Sequence, residues 1–344
     1  MTMQLHLNIK FDINELKLFI EQNNFDKIFI LTDENTSLHC LPIIKNFITE
    51  FYEIKIKSGE ANKNLDTCKY IWEELFKQNA SRQSLLINLG GGVITDMGAF
   101  IASVFKRGIS CINIPTSLLS MVDASVGAKT GIDFFGIKNS LGTFYEAKMT
   151  IIDSSFLDTL PKRHIQSGFV EMLKHGIIAD LFYFKQLLQI SFDEQNDWNR
   201  YIKKSIEIKS KIVLEDPAEK GIRKILNFGH SVGHALESYF LNTDKTLYHG
   251  EAILYGMKVA MHLSIIKNNA DKNILAELEI FSEKTNLAKK LAFDKNEIIQ
   301  LLTQDKKNNN DEFLFVLINE DNQAEYDRRC TKEEILNALN TIHA

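Results

Sequence analysis

His230 and His234 stand four residues apart in NFGHSVGHALES, residues 227–238, and His249 follows in YHGEA. Residues four apart on a helix share a face. That geometry suits a shared metal ion, and it suits ordinary packing equally well. The metalloprotease pattern H-E-x-x-H needs Glu directly after its first histidine; Ser231 stands there, which excludes that chemistry. FVEMLKHGII adds Glu171 and Lys174 at i, i+3 in an otherwise apolar helix. Such a pair is either a surface ion pair of small energetic value or a charged group in a site. Lys209, Glu219 and Arg223 lead up to His230. One carboxylate, Glu171, and two imidazoles, His230 and His249, are candidate ligands. Three protein ligands with an open position is the pattern of catalytic zinc.

A second group sits nearer the N-terminus. INLGGGVITDMGAF places Gly90, Gly91 and Gly92 between a strand and a helix, where exposed backbone N–H groups can receive a phosphate. The spacing is not G-x-G-x-x-G, so it is no standard dinucleotide fingerprint. Asp33, closing IFILTD, can bind ribose hydroxyls, although it precedes the glycines instead of following them. The bland alternative is a tight turn and a surface carboxylate. PTSLLSMVDASVGAKTGIDFFGIKN carries Asp123, Lys129, Lys138 and Asn139, either a binding loop or a solvated one.

The elements that must position these residues change type along the chain. KIFILTD, YEIKIKSGE, SLLINLGGG and ISCINIPTS read as strands. LPIIKNFITEF, LDTCKYIWEELFKQ and ITDMGAFIASVFKRG read as helices between them. That alternation predicts a parallel sheet covered on both faces. After about residue 155, helical periodicity dominates through KRHIQSGFVEMLKHGII, WNRYIKKSIEIKSKIVLED, GHSVGHALESYF, EAILYGMKVAMHLSIIKNN and NILAELEIFSEKTNL. A β-like EFLFVLIN and a last helix in KEEILNALNTIH follow. A chain of 344 residues is long enough for two domains. Its net charge of -5 without a dense basic run argues against a nucleic-acid partner. Cys40, Cys68, Cys111 and Cys330 are scattered, as expected of reduced thiols in a cytoplasm. MTMQLHLNIKF alternates like a strand and lacks an apolar signal core, and no stretch reaches transmembrane length, so no membrane is expected.

LGGGVITD, FKRG, PTSLLSMVDASVGAKTG, KN followed by LG, SGFVEMLKHG, EKGIRKILNFGHSVGHALE, HGEA and DKKN occur in this order. The set resembles the 3-dehydroquinate synthases of the sugar phosphate cyclase superfamily, over roughly residues 30 to 310. The resemblance implies an α/β, Rossmann-like NAD-binding domain over 1–155 and a mostly helical metal- and substrate-binding domain over 156–344. It implies Glu171, His230 and His249 as ligands of zinc or cobalt, with His234 turned to the substrate. NAD would be held by Asp33, Asn35, Glu60, Lys63, Gly91, Gly92, Val93, Asp96, Thr116, Ser117, Asp123, Lys129, Lys138, Phe156, Thr159 and Leu160. Substrate contacts would come from Asp123, Lys129, Asn139, Lys174, Lys209, Arg223, Asn227, His234 and one of Lys306 and Lys307. The catalytic set would be Lys129, Glu171, Lys174, Lys209, Arg223, Asn227, His230 and His234. Arg107 resembles the residue that reaches the phosphate from a neighbouring subunit, implying a homodimer. The implied substrate is a phosphorylated seven-carbon keto acid, oxidised by NAD, relieved of phosphate, reduced and closed by an intramolecular aldol step.

Departures from the family pattern are Ser117 for Thr, Ala128 for Gly, Asp133 for Asn, Ile137 for Gly and His164 for a carboxylate. The alternatives are a cyclase acting on sedoheptulose 7-phosphate, a metal-dependent alcohol dehydrogenase and a non-catalytic relative. The relatives that use sedoheptulose 7-phosphate typically carry Asp and Pro in place of Asn227 and His234.

Overall fold

Short apolar runs bounded by turn residues become parallel strands here, and the longer periodic segments become helices. The structure is a computed structural model that describes residues 5–135, 137–241, 243–303 and 312–344. The chain divides into two compact units, Met1–Pro161 and Lys162–Ala344.

The first unit runs β1 (Ile9–Lys10), α1 (Asn14–Gln22), β2 (Ile28–Asp33), α2 (Glu34–His39), α3 (Leu41–Ile44), β3 (Tyr52–Ile56), α4 (Leu65–Lys77), β4 (Leu85–Gly90), α5 (Gly92–Val104), β5 (Ser110–Pro115), β6 (Lys129–Phe134), β7 (Ile137–Phe144) and β8 (Met149–Ile151). Six strands form one sheet in the order β1-β8-β5-β4-β2-β3, and every pairing in it is parallel. β4 is buried along its whole length, as a central strand covered on both faces must be. From β2 the chain moves to β3 on one side, then returns to lay β4 on the other. This reversal makes the carboxyl ends of β2 and β4 a topological switch point, the place where open α/β sheets bind ligands. Asp33 ends β2 and Gly90 ends β4.

The second unit runs α6 (Lys162–Ala179), α7 (Leu181–Leu187), α8 (Trp198–Glu215), α9 (His230–Phe240), α10 (His249–Asn268), α11 (Lys272–Thr285), α12 (Lys295–Thr303), β9 (Glu312–Ile318), β10 (Ala324–Thr331) and α13 (Lys332–Leu339). α10 is its centre: Ala252, Ile253, Leu254, Met257, Val259, Ala260, Met261 and Leu263 are all buried, so it is apolar around its circumference.

Several expectations need correction. LPIIKNFITEF is helical only over Leu41–Ile44, after which the chain tightens into turns. Of the alternating N-terminus, only Ile9–Lys10 is a strand among the described residues. β10 was invisible to periodicity because AEYDRRCT is mostly exposed; it is a strand by pairing with β9. The β6–β7 hairpin likewise follows from antiparallel pairing and not from an apolar pattern. Among the described residues, no helix is long and apolar enough to cross a membrane.

Candidate functional site

Glu171 and Lys174 lie in the middle of α6, where every residue from Gln166 to Ile178 is buried. Their side chains are 0% and 1% exposed and ion-paired, Lys174 Nζ to Glu171 Oε2. This is a buried pair, not a surface one. Unlike an exposed pair it carries a large desolvation cost, which further polar partners must offset. Glu171 Oε1 lies 3.8 Å from His230 Nε2 and 3.5 Å from His249 Nε2, and neither carboxylate oxygen receives a well-formed hydrogen bond. Burial alone would raise the Glu171 carboxyl, but the Lys174 ammonium and then the two imidazoles hold it well below the usual range. Burial and the Lys174 charge keep His230 neutral. His249 is the reverse: against burial, Glu171 and Glu237 hold its imidazolium up to about 10. A divalent metal held there would supply that positive charge in place of the His249 proton.

The ligand atoms of Glu171, His230 and His249 lie within 4.8 Å of one another. An anionic oxygen, orphaned by hydrogen bonding and faced by two imidazole nitrogens, fits a divalent zinc- or cobalt-like cation. His234, Glu237 and His249 form a second such group. The two groups share His249, and its two ring nitrogens separate them. Nε2 faces Glu171, whereas Nδ1 lies 3.5 Å from Glu237 Oε2. Metal-bound imidazoles characteristically donate their other N–H to a carboxylate or carbonyl. Glu237 matches that role for His249, and the Phe228 carbonyl, 3.2 Å from His230 Nδ1, matches it for His230. His234 is exposed, one turn along α9, its ring centroid 5.1 Å from that of His230.

Close helix packing brings the histidines together. His230 opens α9 and His249 opens α10. Gly229, at φ +78°, turns the chain into α9, and a Cβ on Gly256 would stand 1.8 Å from the Gly229 carbonyl oxygen. At the start of α10, a Cβ on Gly250 would meet the Ser167 carbonyl oxygen at 2.0 Å, and Gly250 N–H donates to Ser167 Oγ at 2.9 Å. The glycine of HGEA therefore presses the His249 turn against α6, which carries Glu171. Arg163 fixes the same turn with a bidentate grip on Glu251 at 2.6 and 2.8 Å; Glu251 in turn accepts from Tyr248 N–H at 2.9 Å.

Other expected groups lie in the same unit. Lys209 on α8 and Arg223 are 7% and 3% exposed. Arg223 donates to the Pro217 carbonyl at 2.8 Å, and Asn227 Nδ2 donates to Glu219 Oε1 at 2.8 Å. Lys306 and Lys307 fall outside the described residues.

In the first unit, Gly91 precedes the first turn of α5, so the N–H groups of Gly92 and Val93 open toward the switch point. A Cβ on Gly90 would collide with Ile94 at 2.5 Å, and one on Gly98 with Asn88 Oδ1 at 1.9 Å, so α5 seats tightly on β4. Asp33 caps α2, one oxygen accepting from Thr36 N–H at 2.8 Å; Asn35 is exposed in the next turn. Lys63 is buried and contacts Asp96 Oδ2 at 2.7 Å and Asn139 Oδ1 at 2.6 Å, and Asp96 keeps it charged against the burial penalty. Glu60 opens the short turn before it. Thr116 and Ser117 follow β5, Asp123 lies in the next turn, and Lys129 and Lys138 lie on β6 and β7. Phe156 is buried at 2% in the turn after β8, where Thr159 is exposed and Leu160 half-buried. Its ring belongs to the core. Arg107 is exposed beyond α5.

The departures are accommodated unequally. Asp133 Oδ1 accepts from Asn139 N–H at 2.8 Å, a role an Asn oxygen also fills. His164 packs against Tyr248, centroids 4.7 Å apart. Ala128 sits at φ +57°, a left-handed conformation in which glycine is favoured by about 1 kcal/mol.

Sequence reasoning missed Glu237, Arg163, Glu251 and Ser167. Glu237 had a signal, since it lies seven residues after His230 and so on the same helix face. The other three act through tertiary contacts that no local spacing encodes.

The family model described as 3-dehydroquinate synthase N-terminal matches residues 53–167, and that described as 3-dehydroquinate synthase C-terminal matches residues 168–308. A 3-dehydroquinate synthase of Parabacteroides distasonis is 39% identical over 334 residues, 95% of this chain and 94% of that one. The structure of 2-epi-5-epi-valiolone synthase from Streptomyces hygroscopicus subsp. jinggangensis, with NAD+ and Zn2+ bound, superposes with a TM-score of 0.85 at 22% identity, over 99% of this chain and 97% of that one. A 2-deoxy-scyllo-inosose synthase complexed with carbaglucose-6-phosphate, NAD+ and Co2+ gives 0.82 at 20% identity, over 97% and 96%. At those identities the two structures speak for the fold, an α/β sheet domain followed by a helical one. With both family models matched in order and a relative this similar along nearly its whole length, the chain belongs to the 3-dehydroquinate synthase family.

Proposed function

We propose that this chain converts 3-deoxy-D-arabino-heptulosonate 7-phosphate to 3-dehydroquinate and phosphate, using NAD and a divalent metal. The observation that carries this reading is the fully buried Glu171 carboxylate, faced by His230, His249 and Lys174. Glu171, His230 and His249 would hold zinc or cobalt, which would supply Lewis acidity to a substrate hydroxyl, and bound NAD would supply the reversible hydride chemistry.

The chain's own groups do the rest. The Phe228 carbonyl holds the proton of His230 on Nδ1 and so leaves Nε2 as the ligand atom; Glu237 does the same for His249. Lys174 Nζ stays beside Glu171 and offers a cation to a developing alkoxide. Lys129, Arg223 and Arg107 supply positive charge to the phosphate, which leaves with its own oxygens serving as base. The N–H groups of Gly92 and Val93 suit the pyrophosphate of NAD, and Asp33 at the switch point suits its ribose. Arg107, on an exposed turn, suits service to a second subunit, which supports a homodimer. Scattered, buried, reduced thiols agree with a cytoplasmic enzyme.

Glu237 is expected to act through His249. Glu237→Ala should weaken metal affinity by about 10–100-fold, read by chelator competition, with helicity unchanged. Unaltered affinity would remove Glu237 from this scheme.

The substrate assignment rests on Arg223, Asn227 and His234. Asn227 is neutral, and an Asp at that position would add a negative charge to repel the substrate carboxylate. Phosphate release at equal substrate concentrations should favour the keto acid over sedoheptulose 7-phosphate by about 100-fold in kcat/KM, about 2.7 kcal/mol. Preference for the sugar lacking a carboxylate would leave only the family standing.

A further inference from the structure

Among the described residues, the hairpin of β9 and β10 sits in a unit otherwise built of helices. Its two strands pair antiparallel, and their register slips between Glu325 and Arg328. The residues in the slip are Tyr326 and Asp327, with Asp327 at φ +55°. Bulges of this kind bend a strand and re-aim its side chains, and they are over-represented beside active sites. Here both side chains meet Lys224. Its ammonium ion-pairs with Asp327 and stands 5.4 Å from the centre of the Tyr326 ring.

Lys224 belongs to the turn Ile222–Asn227, and the residue before it is Arg223. Arg223 is buried, its guanidinium donating to the Pro217 carbonyl. Asp216, which follows the last turn of α8, closes the same segment from its other end. Asp216 Oδ1 accepts from Lys220 N–H at 3.0 Å, and Oδ2 accepts from Gly221 N–H at 2.6 Å and Arg223 N–H at 3.2 Å. Burial alone would raise the Asp216 carboxyl, but these N–H groups and then the Arg223 charge bring it below its ordinary value. A Cβ on Gly221 would lie 3.6 Å from Asp216 Oδ2 and 3.6 Å from the Tyr326 hydroxyl, so the carboxylate and the bulge meet at one point of the segment. Between them Glu219 is left-handed, at φ +56°, and its carboxylate holds Asn227. Such strain persists where the surrounding structure enforces it.

We propose that Asp216 and the β10 bulge residues Tyr326 and Asp327 are positioning residues for Arg223, holding its turn so that the guanidinium is presented to an anionic group of the substrate. This deepens the function proposed above and rests on its placing of Arg223 at the substrate. A connection that only joined α8 to α9 would need neither a carboxylate gathering three N–H groups nor a cation clamped by a bulge. Arg223 lies between those two anchors in sequence. A guanidinium recognises a carboxylate or phosphate through a planar fork, so its usefulness depends on orientation more than on charge. A displacement of about 1 Å in such a group is worth about 100-fold in rate. Asp216 and the bulge fix the backbone on which that orientation rests, and they do so without touching the substrate themselves.

The test uses the whole chain loaded with zinc and NAD and follows phosphate release from 3-deoxy-D-arabino-heptulosonate 7-phosphate. Asp216→Ala should raise KM by about 10–100-fold and change kcat less. Asp216→Asn keeps one acceptor oxygen and should recover part of that loss. Lys224→Met keeps the stem, drops the charge that the bulge holds, and should raise KM about 5-fold. In an Arg223→Ala background, Asp216→Ala should cost less than about 2-fold further, because two groups acting through one contact are not additive. Zinc affinity, read by chelator competition, should hold in every variant, since the Gly229–Gly256 crossing and not this turn sets His230. A parent chain that releases no phosphate from the keto acid would overturn the proposed function together with this inference. In an active parent, full additivity with Arg223→Ala, or a zinc affinity that falls in step with the rise in KM, would overturn the positioning role alone.

Discussion

His249→Ala is expected to lose its metal and to lower kcat by at least about 1,000-fold, the several kcal/mol that Lewis-acid stabilisation of a developing alkoxide is worth. His230→Ala should behave alike. His234→Ala should keep the metal and still lose turnover. The contrast follows from burial and from the direction of ring nitrogens. His230 and His249 aim Nε2 at the fully buried Glu171, whereas His234 is exposed on the same helix face as His230. Removing either half-buried imidazole leaves two ligands where catalytic sites use three. Removing His234 leaves all three and deletes a group on the substrate side. Metal content after desalting and phosphate release measured on the same samples decide the matter. A His234 variant without metal beside a His249 variant that keeps it would overturn this ligand set, and the His234, Glu237 and His249 group with it, since both contain His249.

Much of the first unit could be read from the residues. KIFILTD and SLLINLGGG are apolar runs ended by turn residues, and a central parallel strand needs little more. The strand order could not be read, because it depends on which neighbour each strand finds. The switch point that gives Asp33 and the glycines a common place is therefore a product of the fold. The hairpin escaped because Thr130, Gly131 and Ile132 are buried in succession on β6 while β7 is half-buried to exposed along its length, so neither strand alternates. In the second unit, the ligand trio was nameable because Glu171, His230 and His249 are unusual residues in apolar helices. The groups that orient them were not. Arg163 and Glu251 are 88 residues apart and meet only after α6 and α10 pack. An isolated glycine such as Gly250 carries no message about the carbonyl it will touch.

Gly256→Ala should be among the most disruptive single-methyl changes available to this chain, although it lies two turns along α10 from His249 and touches no proposed ligand. Its Cβ would stand 1.8 Å from the Gly229 carbonyl oxygen and 2.8 Å from both Gly229 C and Gly233 N. All three are backbone atoms, so no side-chain rotation relieves the contact and α9 must move off α10. Overpacking of a close crossing costs about 3 kcal/mol, which corresponds to about 6–12 °C in Tm for a unit of this size. The displacement also reaches the site, because His230 begins one of these helices and His249 the other. Zinc affinity should therefore fall along with Tm, though both histidines remain. Calorimetry with and without zinc separates the two effects. If crowding is the cause, Tm falls in the metal-free chain and zinc restores less than it adds to the parent. An unchanged metal-free Tm would mean the helices do not approach this closely, and the positioning of His230 by the Gly229–Gly256 crossing would fall with it.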